Sequence, residues 1–333
     1  MNYKTARLQV ACVLLVSIGL SIASPAWAEV DLSGEWADKY HEDWPERLPG
    51  PDIGDYIGLP LNNSARMKAD SWEASVQTLL ERQCIPHPNP YSLRGPADLH
   101  IWPEPDPVTG RPLAWKIFGT FGRATHTVWM DGRPHPSKYA PHTFEGFTTG
   151  VWEGDMLTTY TTHIKMGYLR RNGVPSSDQA TVTEHWVRHG DILTVTTVVE
   201  DPVYLTEPLV HSDNWRLEVH QERLATPCEP VVEVARKPGA VPHYLPGTNP
   251  FLNEVSATYK LPLEAVRGGA ETLYPEYRKK LKDLYVAPAK CIRYCCGWIN
   301  LLGPDSVTGK LECDGSKAKA PNEAKPPSQA KPQ

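Results

Sequence analysis

The sequence predicts a mainly β fold: an antiparallel barrel with a few peripheral helices, a two-sheet β-sandwich being the alternative. Three observations carry this. Between Leu99 and about Leu224 apolar residues recur with a period of two, the mark of half-buried strands. Two junctions, Trp152-Glu153-Gly154-Asp155-Met156 and Arg188-His189-Gly190-Asp191-Ile192, put glycine where a tight hairpin turn needs positive φ. The segments between are joined by short turns without crossover helices, so antiparallel order follows, and closing the sheet protects its edges.

Taken in order, the chain begins with a secretory signal. Lys4 and Arg7 form a positive n-region, Val10 to Ile22 an apolar run, and Ala26-Trp27-Ala28 a small-x-small cleavage site. The alternative, an uncleaved anchor, needs roughly 20 apolar residues to span a bilayer, more than this run supplies. Val30 to Trp36 alternates as a first strand, and the Pro/Gly-rich stretch from Pro45 to Pro60 reads as irregular. At Asn62 or Asn63 an Asn/Ser cap precedes Ala65, Met67, Trp72, Val76, Leu79 and Leu80 at helical spacing. The spacing predicts a helical insertion near 62–83, stopped by Ile85-Pro86-His87-Pro88-Asn89-Pro90.

Eight further strands follow: Asp98 to Trp102, Leu113 to Phe121, His126 to Met130, Phe147 to Trp152, Met156 to His163, Ala180 to Arg188, Ile192 to Val199 and Trp215 to Arg223. Threonines such as Thr158, Thr159, Thr161, Thr194, Thr196 and Thr197 suit them, because β-branched side chains fit a pleated surface. Beyond Pro227 the chain turns irregular, with a helix expected over Ala270 to Tyr285. The last segment, Asp314 to Gln333, is Lys, Ala, Pro and Ser and cannot bury enough surface to offset its ordering entropy. The expected organisation is thus a signal at 1–28, a barrel domain at 29–227, a cysteine-containing extension at 228–313 and a disordered tail at 314–333.

Charge and cysteine content narrow the partners. Lys4 and Arg7 are the only charges in the signal, so 34 basic and 39 acidic residues become 32 and 39, a net charge of about −7 after cleavage. A nucleic-acid footprint needs a concentrated basic surface, which this balance does not offer, and no later stretch is apolar enough to span a membrane. Cys12 leaves with the signal. The six that stay, Cys84, Cys228, Cys291, Cys295, Cys296 and Cys313, read as disulfides in an oxidising periplasmic or secreted setting, with pairing open. A metal or haem site is the alternative, but Cys-x-x-Cys-His is missing and the spacing matches no zinc pattern.

Gly34-Glu35-Trp36 on the first strand resembles the Gly-x-Trp of lipocalins, in which an N-terminal strand leads into a ligand-binding barrel. The chain is also similar to a group of exported, largely uncharacterised bacterial proteins. The likeness rests on Gln83-Cys84-Ile85-Pro86-His87-Pro88, Trp129 to Pro136, Gly150 to Leu157, Thr161 to Lys165 and Asp201 to Pro208. It covers roughly Leu32 to Trp215. It implies an exported β-protein and no established activity, so it assigns no catalytic residue.

The expected site follows from residue types. Twelve histidines remain after cleavage, and imidazole is both a neutral-pH proton shuttle and a common metal ligand. If His163 and His185 point into the barrel, they join threonine hydroxyls there, with Glu184 on the opposite face of its strand. Asp131-Gly132 is a turn pair, and Arg133-Pro134-His135-Pro136 leaves it extended, which places a cation and an imidazole at a barrel rim. Tryptophan (11) and tyrosine (14) outnumber phenylalanine (5), a bias suited to aromatic walls that also hydrogen-bond.

The sequence therefore points first to a lipocalin-like protein that binds a small, largely apolar or aromatic molecule through Trp129, Tyr160, Trp186, His126, Arg133 and His135. The alternatives are a cofactor-independent isomerase, hydratase or cyclase using His163 or His185 with Asp131 or Glu184, and an envelope interaction protein. Gly-x-Ser-x-Gly and the nucleotide-binding glycine motifs are missing. No metal or cofactor is expected.

Overall fold

A computed structural model of the chain describes residues 30–39, 50–94, 98–119, 124–219, 228–233 and 235–282. The signal segment, the tail and Cys291, Cys295, Cys296 and Cys313 lie outside the described residues. Eleven strands are seen among them: β1 (Gly34–Lys39), β2 (Leu99–Pro105), β3 (Pro112–Gly119), β4 (His126–Trp129), β5 (Phe147–Glu153), β6 (Met156–Thr162), β7 (Gly167–Arg170), β8 (Val174–Ser176), β9 (Thr181–His189), β10 (Ile192–Glu200) and β11 (Leu209–Leu217). Nine of these close a barrel in the order β1-β11-β10-β9-β6-β5-β4-β3-β2, and β7 and β8 pair separately.

Both glycine turns are two-residue hairpins, with Glu153 opposite Met156 and His189 opposite Ile192. Gly154 (φ 70°) and Gly190 (φ 59°) supply the left-handed position that an L side chain resists. One pair departs from antiparallel order. β4 and β5 run parallel, because the chain leaves β4 at Met130 and loops over the outer face through Asp131 to Gly146 before re-entering the sheet from the same end.

The barrel interior is filled. Trp36, Trp115, Trp186 and Trp215 are at most 3% exposed and pack with Leu99, Ile101, Ile117, Val128, Leu157, Leu193 and Val195. Burial of each such side chain stabilises the fold by about 1.5–3 kcal/mol. The Trp36 indole donates to Leu32 O at 3.0 Å, and the Arg188 guanidinium lies 5.2 Å from its ring. A short helix, α2 (Tyr91–Arg94), reaches the same core through Leu93.

A second core cluster caps the barrel beside Val182 and Val199. It brings together Tyr56, Leu59 and Leu61, Ala65 and Ala69 of helix α1 (Asn63–Asp70), Val174 of β8 and Leu205. Asn62 caps α1, its Oδ1 accepting from Ala65 N at 2.9 Å, and its Nδ2 donates to Val203 O at 2.7 Å. The Asp201 to Pro208 block is fixed by Asp201, a buried carboxylate that accepts from Ser177 N, Ser177 Oγ, Val203 N and Tyr204 N.

Four elements differ from the sequence reading; the first strand runs over Gly34–Lys39 and not over Val30 to Trp36. The first helix ends at Asp70 instead of continuing toward Gln83, where only a 3-10 turn, Leu80–Gln83, remains. The reason is tertiary: Tyr244 N donates to Ser71 O and Asn249 Nδ2 to Asp70 O, so partners from the C-terminal extension take the carbonyls that a longer helix would use. The last barrel strand lies at Leu209–Leu217 and overlaps the expected Trp215 to Arg223 only at its end, because its inward positions include the polar Asp213, which breaks the apolar alternation; residues 220–223 of that expected strand lie outside the described residues. The described part of Ala270 to Tyr285, up to Lys282, divides into a 3-10 turn, Ala270–Leu273, and a helix over Pro275–Lys282, since Pro275 has no N–H with which to continue a preceding turn. The β7–β8 hairpin was not expected at all. None of the helices described is long and apolar enough to cross a membrane.

Candidate functional site

Beside the barrel, five stretches of chain line a cleft of about 600 Å³, one of them Gly50 to Ile53. The stretch after α1 contributes Trp72, and the 3-10 turn Leu80–Gln83 contributes Arg82, preceded by Leu79. The β7–β8 turn contributes Arg171, and the C-terminal extension contributes Tyr244, Phe251 and Glu254. A disulfide between Cys84 and Cys228 ties that extension to the 3-10 turn across 144 residues of sequence. Trp72 bridges to His243 as an isolated β pair, which sets Tyr244 next to it, and the Tyr244 and Phe251 rings lie 6.3 Å apart. Gly173 is required where the hairpin meets this wall, because a Cβ there would lie 2.3 Å from Trp72.

Arg171 is held from behind by a buried polar group. Its Nε and Nη2 donate to Glu81 Oε1 at 2.6 and 2.5 Å, and His87 Nε2 lies 3.1 Å from Glu81 Oε2. Burial alone would raise the Glu81 carboxyl, but the His87 imidazole and the Arg171 charge outweigh it and bring it down to about 2. Tyr91 and Tyr168 complete the group, with ring centroids 4.9 and 5.4 Å from His87 and 5.3 Å from each other. Both phenols are pushed above their ordinary value, first by burial; the Glu81 charge adds to the shift in each. The carboxylate therefore stays ionised and fixes the guanidinium that lines the cleft.

The residues predicted from sequence fall into three places. Trp129, Arg133, His135, Tyr160 and His163 share one patch on the outer face. The sheet register sets Trp129 beside Thr149 and Thr149 beside Tyr160. Arg133 stacks 3.5 Å from the Trp129 ring centroid and is paired with Asp131 at 2.6 Å. The hydrogen bonds from Arg133 hold the Asp131 carboxyl below its usual range.

His135 Nε2 lies 3.0 Å from Thr149 Oγ1 and its Nδ1 2.8 Å from Thr162 Oγ1, which is in turn 2.7 Å from His163 Nδ1. His163 Nε2 is 2.9 Å from the carbonyl of Ser137, which can only accept. With neutral rings the direction is then fixed: Thr149 donates to His135, His135 to Thr162, Thr162 to His163, and His163 to Ser137. This chain pins the Asp131 to Gly146 loop to the barrel, and every polar atom in it is engaged.

His126, Trp186 and Glu184 lie inside the barrel. His126 Nδ1 is 3.2 Å from Glu145 Oε2. Glu184, 1% exposed, accepts through Oε2 from Thr159 Oγ1 at 3.1 Å and from Trp186 Nε1 at 3.2 Å. The strand turns its next residue, His185, to the opposite face, where Nδ1 lies 3.1 Å from Thr158 Oγ1. The inward imidazoles considered for His163 and His185 are therefore not found. Asp131, His163, Glu184 and His185 make no hydrogen bond or ion pair with one another.

Sequence reasoning assigned none of Glu81, Arg82, His87 and Arg171 to a site. The block Gln83 to Pro88 held a usable signal: prolines on both sides of His87 fix extended backbone, and Cys84 announces a crosslink. Among the described residues no group of three or more His, Cys, Asp or Glu is arranged to hold a metal. No protein-family model matches the chain, and no match is found among curated proteins.

Proposed function

We propose that the protein is an exported binding protein, and that it holds a small ligand with a largely apolar body in the cleft beside the barrel instead of in the barrel lumen. Export rests on the n-region, apolar run and Ala26-Trp27-Ala28 exit of the first 28 residues. The single observation that carries the site is the cleft: about 600 Å³, within the usual range for small-molecule sites, with Trp72, Tyr244 and Phe251 as aromatic wall. The tryptophan and tyrosine bias of the sequence supports the same reading. The lumen, by contrast, is occupied by four tryptophans.

The outer patch is less suited to a ligand, because Arg133, His135 and His163 already satisfy one another and their neighbours. An acid–base enzyme has less to stand on, since its four expected groups do not meet. The test is native mass spectrometry of protein purified from the periplasm of an expression host, comparing wild type with Trp72→Ala. A co-purifying organic molecule lost from the variant is the expected result. A ligand retained by Trp72→Ala and lost from a lumen variant such as Trp186→Leu would overturn the assignment to the cleft.

A further inference from the structure

Five charged side chains line the cleft: Asp52, Glu73, Arg82, Arg171 and Glu254. Three are committed elsewhere. Glu73 Oε1 lies 2.7 Å from Arg236 Nη2, Arg171 is bonded to Glu81, and Asp52 has partners of its own. The other two, Arg82 and Glu254, are exposed, and their side chains make no hydrogen bond or ion pair among the described residues. They come from separate elements, Arg82 from the 3-10 turn Leu80–Gln83 and Glu254 from the first position of helix α3 (Glu254–Tyr259). One uncommitted cation and one uncommitted anion thus face a space bounded by Trp72, Tyr244 and Phe251.

Resting on the binding function proposed above, we infer that the ligand is a zwitterion, a short peptide of about two or three apolar residues with both ends free. Its carboxylate meets the Arg82 guanidinium, whose planar fork matches a carboxylate with two parallel hydrogen bonds. Its ammonium meets Glu254, and its side chains lie against the three aromatic rings. The cleft volume exceeds the need of a single small amino acid and suits a molecule of drug size. Arg171, neutralised by Glu81, shapes the wall without competing for the carboxylate.

Isothermal titration of the full chain with phenylalanyl-phenylalanine and its N-acetylated, C-amidated and doubly capped forms tests this. Loss of one charge-assisted hydrogen-bonded end is expected to weaken binding about tenfold or more. Arg82→Gln is expected to weaken only the two forms with a free carboxylate, and Glu254→Gln only the two forms with a free ammonium. Both residues are exposed, and thermal melts of the variants confirm folding. If the doubly capped dipeptide binds as tightly as the free one, and Trp72→Ala weakens both, the zwitterion inference falls while the apolar cleft stands. If none of the four forms binds, the peptide inference is overturned, and the native mass spectrum decides the cleft on its own.

Discussion

The ion pair between Arg94 and Asp213 ties α2 to the barrel wall. Arg94 is the last residue of α2, and its Nη1 lies 3.0 Å from Oδ1 of Asp213, an inward residue of β11. Their side chains are 13% and 0% exposed. At an effective dielectric of about 20, unit charges at this separation attract by about 5 kcal/mol, before the desolvation that offsets part of it. Arg94→Met keeps an apolar stem of similar length and removes the charge, so Asp213 keeps His211 Nδ1, at 3.0 Å, but loses its guanidinium.

Removing one partner of a buried pair costs about 3 to 5 kcal/mol, and with His211 still in place the lower end applies. Urea unfolding followed by the fluorescence of the buried tryptophans reads this directly, and the double variant with Asp213→Asn completes a thermodynamic cycle. The double variant should lose less than the sum of the single losses. A loss below about 1 kcal/mol for Arg94→Met, or additive losses in the cycle, would refute the idea that this pair anchors α2 in the barrel.

Three further outcomes follow from the same geometry. Replacing Cys84 and Cys228 by serine removes a crosslink across 144 residues, for which chain entropy gives about 5 kcal/mol as an upper figure; a loss of about 2–5 kcal/mol is expected, and a reductant-independent melting temperature would contradict it. Glu81 is brought down from 4.5 to about 2 in the fold, so its contribution is fully present above the ordinary value and lost as pH falls toward 2. Glu81→Gln should therefore be less stable at neutral pH and show a flatter acid limb in pH-dependent melts. His135 is held below its ordinary 6.5 first by burial and then by His163, so its neutral form favours the fold and stability declines as pH drops through the folded value. His135→Gln should remove part of that decline, and an unchanged pH profile would show that the Thr149 to His163 chain does not hold the outer loop.

The barrel was legible because its signals are local. Alternation over Thr181–His189 and Ile192–Glu200 selects one inward set, and Gly190 fixes the register between them, so neither strand can slip without turning its apolar face to water. Leu209–Leu217 was displaced because an inward Asp213 looks like an outward residue until Arg94, 119 positions earlier in the chain, is known to reach it. The parallel β4–β5 pair was missed for a related reason: the Asp131 to Gly146 connection reads as a simple rim loop, and only the His135 contacts across β5 and β6 show where it runs.

The candidate site was far less legible, and the difference is one of sequence distance. Trp129, Arg133, His135 and Tyr160 were named from residue type and from the turn at Asp131-Gly132, and the fold sets them together on the outer face, away from the barrel lumen. A shared face is not a binding site, however, since these groups satisfy each other. Trp72, Arg82, Arg171 and Glu254 meet only after an early helix, a hairpin turn and the C-terminal extension are brought together by the Cys84–Cys228 crosslink and by Tyr244 and Asn249 binding the end of α1. No local periodicity encodes that meeting. The inference that Arg82 and Glu254 serve a ligand therefore rests on a property that only the folded chain has: two opposite charges from separate elements that line one cleft and have no side-chain partner among the described residues, while Glu73 and Arg171 beside them are paired.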